Sequence, residues 1–187
     1  MNTSFSTQEL ELKRILSSSP VGQVLPAISQ LNLSNWWLAG GAVRNTVWKA
    51  IFGDECQLII KDFDIAFFDI DGNRAQELAA KEYLINQFPD RDFDVKNQAS
   101  FARWRSGRQT YTSTEDGISN WLHTATTVGV RINQQGEWEF FAPYGFDDLF
   151  NGVICPTPEH IENPDATNKA ASFIEKCPCL KIRKLTR

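Results

Sequence analysis

Histidine is nearly absent from this 187-residue chain, which has two, His123 and His160. A His-rich zinc or iron site is therefore not expected, and the metal ligands, if any, are oxygens. Cysteine is scarce too. Cys56, Cys155, Cys177 and Cys179 stand apart except for one Cys-Pro-Cys pair, which matches neither the C-x-x-C spacing of zinc sites nor a disulfide framework. They read as free thiols. No apolar run reaches the about 18 residues that a membrane span requires, and MNTSFSTQELELKR has neither the basic start nor the apolar stretch of a secretion signal. A cytoplasmic location without a membrane partner is the expectation. Positive charge is not in excess either: 19 Lys plus Arg against 23 Asp plus Glu leave a formal charge of −4. Nothing draws the whole chain to nucleic acid or an anionic surface, so a polyanion must be held by a local patch. No internal repeat suggests a solenoid.

What remains is a packed globular composition, with 42% hydrophobic residues, six Trp and thirteen Phe. The length suits one domain with a sizeable core. Within it, 1–34 reads as an N-terminal helical segment, 35–155 as the core and 156–187 as a C-terminal helix with a basic tail. The first segment gives a helix over residues 7–18 and a second around 21–31, interrupted by Gly22 and Pro26. Trp36 to Ala39 then reads as a strand, Gly40-Gly41 as a turn, and Val43, Val47 and Ile51 as one face of a helix stopped by Gly53. A strand in DFDIAFF, a turn at Asp71-Gly72 and a helix over about 73–88 follow. RDFDVKNQ is the next strand. Ile118, Trp121, Leu122 and Ala125 recur at helical spacing behind a Ser113 or Thr114 cap, which puts His123 on a surface helix. TTVGVRI and EWEFFAP make a hairpin across NQQG, and Ala170, Phe173, Ile174 and Cys177 mark a last helix. Helices mixed with a small sheet of parallel and antiparallel strands make this an α/β or α+β domain.

Inside KDFDIAFF lies a conflict, because Asp62 and Asp64 occupy the mouth of a strand whose apolar run predicts burial. Side chains two apart point the same way, so both carboxylates leave one face, where they repel unless a cation lies between them. Two Mg²⁺ ions would relieve this; hard cations take oxygen ligands, and two-metal sites clamp the oxygens of phosphoryl transfer. Asp94, between Phe93 and Val95, is the candidate third acid, with Asp92 in reserve. A triphosphate needs donors: Gly40 and Gly41, between strand and helix, let backbone N–H groups approach phosphate, and Arg44 one turn on adds charge. Taken alone, the glycine pair is more often a tight turn; coupled to the later acids it reads as a phosphate cradle. Asp69 and Asp71 next to Gly72 are explained by turn formation, and Asp147-Asp148 by a helix start.

These pieces in this order, LAGG, then DFDI, then FDVK, resemble the DNA polymerase beta nucleotidyltransferase superfamily. GGAVRN is similar to the GGxVRD of tRNA nucleotidyltransferases and bacterial poly(A) polymerases, with Asn45 in place of Asp. WLAGGAVRNTVW, DFDIAFFD, FDVKNQA, TSTEDGISNW and APYGFDDLF together resemble a group of small bacterial nucleotidyltransferase-like proteins. The resemblance implies the DNA polymerase beta-like fold, a small mixed sheet flanked by helices with the acids on neighbouring strands. It also implies a nucleotidyl transfer from an NTP with Mg²⁺, or Mn²⁺, to an acceptor that could be a small molecule, a protein or RNA. The motif by which tRNA nucleotidyltransferases choose a base has no counterpart, so CCA addition is not expected. In FARWRSGRQTY, Arg105 and Arg108 among aromatic residues mark a loop that grips nucleotide or acceptor, or else ordinary solvated arginines over a packed Trp. The rival from another class is a catalytically inactive nucleotide-binding or protein-interaction module on the same fold.

Overall fold

The computed structural model describes residues 5–105, 107 and 109–184. Two helices open the chain, α1 (Thr7–Ser17) and α2 (Pro20–Gln30). At α1, Glu9 N–H donates to Ser6 Oγ at 3.2 Å and Ser6 N–H to Glu9 Oε2 at 2.7 Å. This capping box satisfies amides that a helix start otherwise leaves bare. At α2, Ser19 Oγ accepts from Val21 N–H and Pro20 takes the first helical position, where its missing N–H costs nothing. The expected interruption does not occur: α2 runs through Gly22 and Pro26, because Val21, Val24, Leu25 and Ile28 are buried along one face and their packing outweighs the lost hydrogen bond. Gly22 also admits α1, since a Cβ there would lie 2.7 Å from the Leu16 and Ser17 carbonyl oxygens.

Strand β1 (Trp37–Ala39) passes directly into α3 (Gly40–Phe52). Then β2 (Phe63–Phe67), α4 (Arg74–Gln87) and β3 (Phe93–Asn97) form a β-α-β unit, with Asn73 capping α4 through Ala75 and Gln76 N–H. The rest comprises α5 (Thr114–Ser119), the hairpin β4 (Gly129–Ile132) and β5 (Trp138–Phe141), α6 (Asp147–Phe150), β6 (Val153–Ile154), α7 (Pro164–Lys176) and β7 (Lys181–Ile182). Five strands make one mixed sheet in the order β3-β2-β1-β4-β5, with β2 and β3 parallel and the other neighbours antiparallel. A separate parallel pair, β6 with β7, recruits the basic tail.

Alternation resolves the conflict in DFDI. Phe63, Ile65 and Phe67 of β2, Phe93 and Val95 of β3, Leu38 and Val130 are buried on one face of the sheet, in the main core with α1 to α4. Asp62, Asp64 and Ala66 therefore leave the other face, together with Asp94 and Lys96. That second face has only a small apolar patch of its own, where Ile118 of α5 meets Trp37, Ala39 and Ala66.

The largest departure from expectation is the helix over Ile118 to Ala125. It ends at Ser119, and Asn120 N–H turns back onto the Gly117 and Ile118 carbonyls. Beyond it the backbone is claimed by another segment: Thr124 N–H donates to Cys155 O at 2.9 Å and Thr157 N–H to Leu122 O at 3.1 Å. Two threonines add long-range bonds that a continuous helix would not offer, Thr124 Oγ1 to Asp148 and Thr157 Oγ1 to Trp121 O. His123 is in consequence 2% exposed rather than on a surface helix.

Candidate active site

The register of β1 on β2 sets Ala39 opposite Asp64, and that of β2 on β3 sets Asp64 opposite Asp94. Gly40 follows Ala39 at φ +72°, a left-handed backbone that suits glycine, and a Cβ there would collide with the Asp64 carboxylate. Gly41 N–H reaches Asp64 Oδ2 at 3.3 Å. The first turn of α3, which has no side-chain cap, thus opens directly onto the acids.

The acids are crowded. Burial pushes the Asp64 carboxyl up to about 6; the Asp62 charge adds to this, the Gly41 N–H opposes it, Asp94 adds again and Arg44 opposes. Among the described residues neither Asp62 nor Asp64 has an ion-pair partner, whereas Asp94 is held by Lys96 Nζ at 2.9 Å. The donor chemistry, carboxylates on neighbouring strand positions with Asp62 and Asp64 lacking a cationic partner among the described residues, fits a hard divalent cation. As they stand, no three His, Cys, Asp or Glu side chains among the described residues close around a single ion. Of the three acids, Asp94 is the one paired with a lysine. Asp92 is not part of the group; it is exposed and pairs with Lys81 at 3.2 Å, which lowers its pKa.

Arg44 is 5% exposed, with its guanidinium 4.0 Å from the ring centre of Phe173 and 5.2 Å from that of Trp48. It donates to Asn45 Oδ1 at 3.0 and 2.8 Å and to Thr126 Oγ1 at 2.9 Å. Asn45, where similar motifs carry Asp, therefore orients the cation without neutralising it, and burial lowers the Arg44 pKa to about 10.

All three acids, Gly41 and Arg44 line one cleft of about 880 Å³, a volume typical of small-molecule sites. Arg105 does not line it: its side chain is exposed and its backbone N–H donates to Glu159 Oε1 at 2.8 Å. Arg108 lies outside the described residues. Arg103 is committed elsewhere, to a bidentate pair with Asp116 at 2.6 Å. Reasoning from sequence missed the contribution of α7, whose Lys169, Ser172, Phe173 and Lys176 form one wall together with Lys61. The four-residue rhythm of α7 signalled a buried face, and nothing local in the sequence marked which side would meet the acids.

A mixed sheet with paired acids beneath a glycine turn defines the nucleotidyltransferase head-domain fold. The chain belongs to the nucleotidyltransferase family, whose model, described as "Nucleotidyltransferase", matches residues 26–182. Among solved structures it is similar to one described as revealing a CCA-adding enzyme head domain, with 29% identity, a TM-score of 0.77 and coverage of 98% of this chain and 99% of that one. A CCA-adding enzyme in complex with CTP is 15% identical at a TM-score of 0.60, over 92% of this chain and 43% of that enzyme. The Thermotoga maritima CCA-adding enzyme complexed with tRNA is 14% identical at a TM-score of 0.60, over 92% and 42%. The chain spans less than half of these two enzymes, and at that identity the likeness is one of fold. No curated protein matches the chain in sequence. No helix among the described residues is long and apolar enough to cross a membrane.

Proposed function

We propose that this protein is a metal-dependent nucleotidyltransferase that binds an NTP and transfers its nucleotidyl group to an acceptor hydroxyl or phosphate. The observation that carries the proposal is the register: Asp64 lies beside Asp94 and directly beneath the Gly40–Gly41 turn, at the floor of a single cleft. In this reading the N–H groups at the start of α3 receive the polyphosphate, helped by the positive end of the helix. Arg44, oriented by Asn45 and Thr126, adds a fixed positive field behind them. Asp62, Asp64 and Asp94 would hold Mg²⁺, or Mn²⁺, which would neutralise charge on the transferring phosphate and lower the pKa of the acceptor hydroxyl. Lys96 releases Asp94 for this role and becomes a free cation at the cleft wall. Catalysis would then be positioning and charge neutralisation, as phosphoryl chemistry requires. The acceptor, small molecule, protein or RNA, approaches from the open side of the same cleft.

The Lys96–Asp94 pair also favours a second reading, a binding module on the same fold in which the third acid has been retired. One experiment separates the two. Calorimetric titration of each NTP with Mg²⁺ should give binding that disappears with EDTA and falls at least a hundredfold in Asp62→Ala/Asp64→Ala, after which labelled nucleotide should be transferred to an acceptor. Binding that ignores both the metal and the two aspartates would sink the enzyme reading.

A further inference from the structure

The cleft is not uniform along the β2/β3 direction. Lys61 and Lys176 lie on the side from which the two strands start, since Lys61 precedes Asp62 and the Lys176 carbonyl bonds Gln57 N–H at 2.7 Å. On the side toward which the strands run, past Lys96, the lining is mostly aromatic. Gln98, the first residue past the end of β3, lines the cleft beyond Asp94 and Lys96, and Trp121 packs on the patch of Trp37, Ala39, Ala66 and Ile118. Phe101 and Trp104 complete this end and are 42% and 45% exposed. Rings of that size gain little from such exposure, and here both face the same cleft as the acids.

The segment that carries them is a built wall. Ala102 pairs with Thr110 in an antiparallel bridge, and Arg103 N–H donates to Gln109 O at 2.8 Å. Its base is pinned by the Arg103–Asp116 pair, with the guanidinium 5.3 Å from the Tyr111 ring centre, and its tip by Arg105 N–H on Glu159. One side of the Trp104 ring is backed by His160, at 5.6 Å between centroids. That imidazole is fixed by a 2.7 Å bond from Nε2 to Asn120 O and a 2.9 Å contact of Nδ1 with Asn163 Nδ2. Trp104 is thereby supported by a tilted ring contact while it still lines the cleft. Gln98, 4% exposed, is seated by Gly117, where a Cβ would stand 2.5 Å from its amide oxygen. Its Nε2 donates to the Lys96 carbonyl at 3.4 Å, and its neutral amide lines the same cleft as Trp104.

We propose that this end of the cleft is a stacking subsite for the planar base of the nucleotide, with Trp104 as the platform, Phe101 as the flanking ring and Gln98 as the group that meets the base edge. The proposal rests on the nucleotide reading above and refines it: the aromatic residues of the loop hold the substrate, while Arg103 serves the loop's own architecture. Sequence tolerance follows, because every base has a π-face and the edge contact is a single amide.

The test compares ATP and CTP with inorganic tripolyphosphate, each titrated with Mg²⁺ into wild type, Trp104→Ala and Trp104→Phe. Trp104→Ala should weaken both nucleotides roughly tenfold and leave tripolyphosphate unchanged, and Trp104→Phe should restore most of the loss. Nucleotide affinity equal to wild type in Trp104→Ala overturns the subsite while the nucleotide reading stands. A parallel loss of tripolyphosphate binding also overturns it, by assigning Trp104 a structural role. If wild type binds neither nucleotide nor tripolyphosphate, the nucleotide reading fails and the subsite fails with it.

Discussion

The two faces of the central sheet are made from the same strands and obey opposite rules. On one, Phe63, Ile65, Phe67, Phe93 and Val95 are nearly solvent-free and pack against four helices. On the other, one residue away along the same backbone, Asp62, Asp64, Asp94 and Lys96 line an open cleft instead of a sealed core. The first face is selected for stability and the second tolerates instability, since like charges held together raise the free energy of the folded state. What the comparison teaches is that the cost of the site is met across the thickness of a single strand.

The strongest way to break the comparison is to hollow out the apolar face. Phe93→Ala removes a fully buried ring stacked on Phe63 at 5.3 Å between centroids, and should cost about 3–5 kcal/mol in urea unfolding. If the site depends on that face as a scaffold, metal–nucleotide affinity should fall only as far as the folded fraction does. A loss of binding in molecules that remain folded would show that the two faces are not separable.

Acid tests the layer over the charged face. Burial lowers the His123 pKa to about 4; the Ala166 carbonyl, 2.8 Å from Nε2, opposes this, and the nearby Arg44, His160 and Lys169 side chains add to it. The folded value lies below the unfolded one of about 6.5, so the unfolded chain takes up the proton first as pH falls. The stability contributed by neutral His123 is complete above pH 6.5 and is lost progressively toward pH 4, about 3 kcal/mol in all. Chemical denaturation across this range should show the slope, and His123→Asn should flatten it.

The smallest effect has the opposite sign. Asp64 has a folded pKa of about 6, above its ordinary value of 3.8, so the wild type is more stable, with respect to this group, below pH 3.8 and loses that margin as pH rises through 6. Asp64→Asn should therefore raise stability by about 1–2 kcal/mol at pH 8 in EDTA, after allowance for solvent screening, and give no gain near pH 4. A neutral amide can still accept the Gly41 N–H. Denaturation midpoints at the two pH values check this; a destabilised variant at pH 8 would mean that Asp64 is held by a cation the cleft supplies.

Much of this was legible in the sequence because the signals were local. Two-residue alternation in DFDIAF, a glycine pair between strand and helix, and the Asn73 cap each fix their own segment, and the acid face follows from parity alone. Arg44 was legible as a cation near the turn, but its burial against Phe173 was not, because the ring arrives from a helix about 130 residues later. The stretch Asn120 to Thr127 misled for the same reason. Its apolar spacing is helical, yet its backbone is claimed by Cys155 to Thr157 and its Thr124 hydroxyl by the distant Asp148. In the loop of Arg105, the neighbouring Phe101 and Trp104 line the cleft and the arginine side chain does not, a distinction that local sequence does not carry.

The parallel pairing of β2 with β3 has a consequence for how the chain finds its structure. Asp64 meets Asp94 only when Phe63 meets Phe93, and a slip of one residue in either strand would turn carboxylates into the oily layer and rings into water. The wrong alignment is thus penalised twice, by buried charge and by exposed aromatic surface. The acids that make the cleft chemically useful also act as a register check during assembly, rejecting misthreaded sheets before any substrate is present.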